Sequence, residues 1–200
     1  MAGGRKLSFN RDLALESAMQ VFWRKGYVGA SLSDLTQAMG INKPSMYSTF
    51  GNKEALFNQA TQLYVEQQAV PHTQWLHKPR ISLKKRIKGF LMSTVAGQCQ
   101  DSSPKGCYIS ACIAESSNDA VPENTRSLVL DLNANMQQAL ESLLKEDEES
   151  QQMGLDKRAS EIALSLNTLL SGTATMARAG RTEEQLEAVV DAMLLGVGLD

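Results

Sequence analysis

The sequence predicts an all-α fold: a three-helix N-terminal unit containing a helix-turn-helix, then a larger helical C-terminal body. Two observations carry this. Apolar residues recur at i, i+3 and i+4 along most of the chain, and no convincing period-2 stretch interrupts them. Helix start signals divide the first quarter into short pieces, with Asn10, Ser31, Asn42 and Asn52 standing just ahead of such runs. A chain of 200 residues that is 42% hydrophobic has enough apolar material for a substantial core.

The elements follow in order. Asn10 is read as the cap of a helix over 11–25, with Leu15, Ala18, Met19 and Phe22 as its stripe, widened by Ala14 and Val21. Gly26 stands where a left-handed cap belongs. Ser31 and Asp34 have capping-box spacing, which starts a helix over 32–39 with Leu35 and Ala38 inward, ended by Gly40. Asn42 caps the next helix, Pro44 falls in its first turn, and Met46 and Phe50 point inward. A fourth helix is expected over 53–69, with 70–81 as a connector able to retain a short helical piece. Further helices are expected over 82–98, 107–116, 123–145, 157–178 and 182–197, with the acidic run 146–149 ending a helix or opening a solvated loop. The domain boundary is drawn between 1–53 and 54–200, joined through the helix over 54–69.

Charge is divided unevenly. Residues 1–53 hold seven Lys/Arg against three Asp/Glu, and residues 54–200 hold thirteen against nineteen. A net −2 therefore conceals a basic N-terminal quarter, the footprint of a small nucleic-acid-binding unit on an acidic body. No apolar run is long enough to span a membrane, and the start MAGGRKLSFNRD lacks the apolar segment of a secretory signal. Three cysteines, Cys99, Cys107 and Cys112, are an odd number and argue against a disulfide scaffold, so a cytoplasmic location without membrane association is expected.

A helix-turn-helix lays its second helix in the major groove of DNA. The outward face of residues 43–49 suits that role. Lys43 can donate to guanine or phosphate, Pro44 offers an apolar surface to a thymine methyl, and Ser45, Ser48 and Thr49 can bond base edges or phosphates. Tyr47 at the edge can give its hydroxyl to a phosphate, while Ser31, Ser33 and Lys53 mark helix starts where backbone N–H groups favour an anion. Arg5 and Lys6 form a basic arm for the backbone or the minor groove.

The stretch from Ala14 to Phe57 resembles the N-terminal domain of TetR-type (TetR/AcrR) transcriptional regulators. The matching residues are Leu15, Ala18, Phe22, Gly26, Tyr27, Ser31, Leu35, Gly40, Tyr47, Phe50, Lys53, Glu54, Ala55 and Leu56. Tyr47-x-x-Phe50-x-x-Lys53, with Gly40 seven residues upstream, is the most specific part. The resemblance implies a homodimer on a two-fold-symmetric double-stranded operator, with a small-molecule effector site in the C-terminal domain and repression relieved by that effector. The chain departs from the family pattern at Ala30, where a hydroxyl is frequent, at Pro44, where Gly is frequent, and at Ser48 and Thr49, where bulkier residues stand. Gly106-Cys107 followed by Glu115 resembles a sub-group of the family, some of whose members respond to electrophiles or small toxic metabolites.

Tyr64, Trp75, Phe90, Met92, Cys107, Tyr108 and Met136 are candidates to line an apolar effector cavity, or to be plain core. Cys107, just after Lys105 and near a helix start, stands where a thiol is activated for sensing. The last two helices are expected to form the dimer interface through Leu166, Leu170, Ala174, Val189, Val190 and Met193. No cysteine or histidine spacing points to a metal, no cofactor is expected, and no enzyme is expected. Two rival readings are a DNA-bound architectural or assembly protein without a small ligand, and a Cys107-dependent thiol enzyme, which lacks a paired His.

Overall fold

The computed structural model describes residues 9–199. The basic arm at Arg5 and Lys6 lies outside the described residues. Eleven α-helices follow one another, and no strand occurs among the described residues.

Helix α1 (Arg11–Gly29) starts at Asn10, whose side chain accepts from the Asp12 and Leu13 amides. It runs four residues past the expected end, but with a break inside it. Gly26 has φ 69° and ψ −176°, so the ladder stops there and residues 27–29 form a separate last turn. Helix α2 (Leu32–Met39) has the full capping box between Ser31 and Asp34, and Gly40 ends it at φ 66°, ψ 27°, a left-handed conformation that suits a residue without Cβ. Helix α3 (Lys43–Phe50) is capped by Asn42, and α4 (Lys53–Tyr64) by Asn52. One expected inward residue is corrected: Ala38 is exposed, and Met39 is buried instead. Leu35 and Met39 are four apart, so their shared stripe faces α1 while Ala38 falls to one side.

The fourth helix does not stop near 69. A π-helical turn (Val65–Ala69) carries it into α5 (Val70–Thr73). Pro71 in α5 has no N–H to give to the preceding turn, and the wider π turn before it lets the helix continue past that gap. Then come α6 (Leu83–Cys99), capped by Ser82, and the short α7 (Tyr108–Ala114). The long α8 (Glu123–Glu146) follows.

The acidic run ends α8, as one of its two readings has it, but it does not open a solvated loop. Asp147 caps α9 (Glu148–Gln152) and pairs with Arg86, and Glu149 accepts the Leu83 amide at the start of α6. These carboxylates are held because a helix start and a half-buried guanidinium need acceptors. A 3₁₀ turn (Leu155–Arg158) then leads into α10 (Ala159–Arg178), two residues later than expected, and α11 (Glu183–Val197) closes the chain with a Thr182–Gln185 capping box.

Two cores result. The first joins α1 to α4 with α7 and the start of α8, through Phe22, Phe57, Tyr64, Tyr108 and Val129. The second joins α6, the end of α8, α10 and α11. Packing of the helix-turn-helix therefore runs on past residue 53 into α4 and α7 without a break.

Candidate nucleic-acid interface and effector cavity

Helix α3 is fixed from below. Met46 and Phe50 are buried, and the Arg11 guanidinium lies 5.1 Å from the Phe50 ring centre. Lys43, Pro44, Tyr47 and Ser48 are exposed, and Ser45 is half-buried beside them. They share one outward face because the two anchors lie four apart on the other side. Thr49 sits differently: its hydroxyl is buried and finds no hydrogen-bond partner among the described residues. Ser31 uses its hydroxyl locally, donating to Asp34 at 2.7 Å and accepting from the Asp34 amide, whereas Ser33 is exposed. The Asp34 carboxyl is held down to about 2 by hydrogen bonds from Lys25, then from the Ser31 side chain and backbone. Lys53 is half-buried, with its ammonium 4.5 Å from the centre of the Tyr27 ring. Burial lowers its pKa, and the charge of Glu115 acts against that shift.

A cavity of about 290 Å³ lies between α4 with its π turn, α5, α6, α7, α8 and α10, and Trp23 of α1 also lines it. Of the expected lining residues, Tyr64, Phe90, Cys107 and Met136 reach its wall. Trp75 does not: its ring lies against the α6 backbone at Gly89, with the Lys78 ammonium 3.1 Å from its centre. Tyr108 does not either. It is fully buried behind Tyr64, ring on ring at 5.0 Å, and its hydroxyl meets the Thr61 hydroxyl at 3.0 Å. Met92 packs into the second core.

The wall also has polar groups. His72 Nδ1 lies 2.7 Å from the Ser93 hydroxyl, and burial pushes its pKa down. Asn167 donates to Asn133 at 3.2 Å, and Gln98 donates to the Leu170 carbonyl at 3.1 Å. The helical stripes of α6 and α10 gave the only available signal, since Gln98 and Asn167 interrupt runs of apolar inward positions. Among the described residues no Lys, Arg, Asp or Glu lines the cavity. At its edge the Tyr64 hydroxyl donates to the Cys107 sulfur at 3.4 Å. Lys105, expected to activate that thiol, pairs instead with Asp101 at 3.1 Å. Cys112 is buried, and burial raises its pKa far above the ordinary thiol value.

This geometry has close relatives. Residues 14–60 match the model for bacterial regulatory proteins of the tetR family. The chain is 28% identical over 96% of its length to the HTH-type transcriptional repressor ComR of Escherichia coli (strain K12), covering 90% of that protein. A cysteine mutant of the TetR family transcriptional regulator CifR, complexed with 26bp double-strand operator DNA, is 32% identical and superposes with a TM-score of 0.87. That match covers 96% of this chain and 98% of the other. This chain belongs to the TetR family of transcriptional regulators.

Two further features of this TetR-family regulator matter. Among the described residues no helix is long and apolar enough to cross a membrane, and no group of three or more acidic, His or Cys side chains is placed to hold a metal. Most of the residues expected at a dimer contact are buried within the chain itself. Leu166, Leu170, Ala174 and Val190 are buried in the chain's own core, Leu170 on the cavity wall, and Met193 is half-buried. Only Val189 of that set is exposed, at 48%. The outward stripe of α10 and α11 runs instead through Leu164, Thr168, Gly172, Met176, Val189, Ala192 and Leu195, with Leu164 53% and Leu195 66% exposed. Both helices are apolar on most sides, so periodicity alone did not separate the inner face from the outer one.

Proposed function

We propose that this regulator is a cytoplasmic homodimeric repressor that reads a palindromic operator with α3 and leaves it when a small uncharged molecule fills the C-terminal cavity. The observation that carries the reading is the outward face of Lys43, Pro44, Ser45, Tyr47 and Ser48 on a helix anchored by Met46 and Phe50. Ser31, Ser33 and Lys53 stand at helix starts beside it and take phosphates, with Thr49 a peripheral member of the set. The operator DNA on which the CifR mutant was captured supports the same use of this surface.

The dimer forms through the exposed stripe of α10 and α11, because two reading heads must fall in successive major grooves about 34–36 Å apart. Solvent-exposed Leu164 and Leu195 in one stripe are the kind of apolar surface that a partner copy covers. The effector is uncharged because an ion in a wall without counter-charge loses its hydration uncompensated. It acts by binding one arrangement of the dimer better than the other. An electrophile is a second reading of the same site, favoured by Cys107 on the cavity wall beside the Tyr64 hydroxyl.

Selection of bound sequences from random duplex DNA tests the proposal. The expected product is a palindrome with half-sites about one helical turn, or a multiple of it, apart. Binding that tolerates any sequence and follows salt alone would sink the repressor reading and favour an architectural role.

A further inference from the structure

The reading head is joined to the rest of the chain covalently through α4 and by apolar packing of α1 against α4 and α7. A single carboxylate adds directed hydrogen bonds to that packing. Glu115, at the C-terminal end of α7, accepts from the Tyr27 amide at 2.7 Å and from the Val28 amide at 3.3 Å. Those N–H groups are free because Gly26 breaks α1 one residue earlier, at a φ that favours glycine. A broken helix exposes donors at its restart, and a carboxylate there is both a cap and a favourable charge. Gly26 also lacks the Cβ that would collide with the same carboxylate.

The turn that Glu115 holds leads through the fully buried Ala30 to Ser31, the cap of α2. The Tyr27 ring is wedged edge-on against Phe57 of α4 at 5.3 Å, with Lys53 over its face. At its other end, α7 begins at Cys107, on the cavity wall. Between the two ends Tyr108 ties α7 to Thr61 of α4. One short helix thus spans from the cavity to the reading head.

We infer that Glu115 is a positioning residue for DNA reading: its carboxylate fixes the head at a second point, and α7 connects that point to the cavity wall at Cys107. Without those hydrogen bonds the head is held by α4 and by apolar packing alone, which is non-directional and lets it pivot. Pivoting spoils the fit of base-reading side chains in two grooves at once, and it leaves the salt-driven grip on phosphates untouched. This inference rests on the DNA-reading role proposed above.

The test compares wild type, Glu115→Ala and Glu115→Gln on the duplex recovered by selection and on a scrambled duplex of the same composition. Glu115→Ala is expected to lose roughly tenfold or more on the selected duplex and to stay within about twofold on the scrambled one. Glu115→Gln keeps one amide oxygen as acceptor, so its loss on the selected duplex is smaller, roughly threefold to fivefold. Equal loss on both duplexes, the mark of a merely damaged fold, overturns the inference, as does no loss on the selected one. Should Glu115→Ala not fold, the selective loss in Glu115→Gln decides alone.

Amide hydrogen exchange at Tyr27 and Val28 needs no DNA, and it separates a failed latch from a failed DNA reader. Exchange is expected to quicken roughly tenfold or more in Glu115→Ala. Unchanged exchange overturns the latch whatever the DNA result. The route through α7 is tested by N-ethylmaleimide on a Cys99→Ser protein: modification at Cys107 should quicken exchange at the same two amides, and Cys107→Ser should abolish the effect. Confirmed modification with unchanged exchange overturns the route.

Discussion

The Glu115 carboxylate occupies the space that a side chain on Gly26 would need. Gly40 offers a contrast, since it also has positive φ but has nothing within 4 Å of a built Cβ. Gly40→Ala should therefore show only backbone strain, about 1–2 kcal/mol. Gly26→Ala adds a collision with a hydrogen-bonded carboxylate and should cost about 3 kcal/mol or more. Urea unfolding of the two variants, compared at equal m-value, checks the difference. Equal costs would mean that the carboxylate moves aside freely.

Asp34 makes the start of α2 sensitive to acid. Its carboxyl is held at about 2, below the ordinary value of 3.8, first by the Lys25 hydrogen bond and then by Ser31. A depressed folded-state pKa contributes stability that is fully present above the unfolded value and is lost as pH falls through the folded one. The contribution of this box should therefore fade between about pH 4 and pH 2. Titration of the Ser31 and Asp34 amide resonances will show the midpoint, and Asp34→Asn should remove that step from the acid profile. A midpoint near 3.8 would show that the box does not hold the charge.

Leucines of α10 and α11 should behave in two ways. Leu164→Glu or Leu195→Glu, on the exposed stripe, should give monomers by sedimentation with the helical content intact. Leu166→Ala, fully buried within the chain, should keep the dimer and cost about 2–5 kcal/mol of stability. A dimer that survives both charge substitutions would move the interface elsewhere.

Lys43 opens α3 and is exposed. Lys43→Ala should lower the slope of log affinity against log salt by about 0.9 per protomer, as expected when one phosphate contact is lost. An unchanged slope with relaxed preference at one base position would reassign Lys43 to a base edge.

Much of the fold was legible because helix caps are local. Asn10, Ser31 with Asp34, Gly40, Asn42 and Asn52 act within four residues of themselves, and each does in the structure what its spacing predicts. The misses come from longer reach. The helix over 53–69 is read as giving way to a connector because nothing local announces the π turn that carries it past Pro71. The acidic run does end a helix, but its solvated-loop reading fails because its partners, Arg86 and the Leu83 amide, lie more than sixty positions away. At the cavity, Tyr64 and Phe90 were found by their stripes, while Trp75 has the same chemistry and packs outside it.

The sequence by itself determined the helical class, the helix-turn-helix with its outward Lys43–Ser48 face, and the family, since these depend on spacing within one or two turns. Only the tertiary structure decided which sides of α10 and α11 face inward, which residues enclose the cavity, and that Glu115 reaches Tyr27 across 88 positions of chain. The physical reason is the same in each case. A helix fixes its own neighbours through backbone hydrogen bonds, but the partner of a side chain at its surface is set by which other helices pack there.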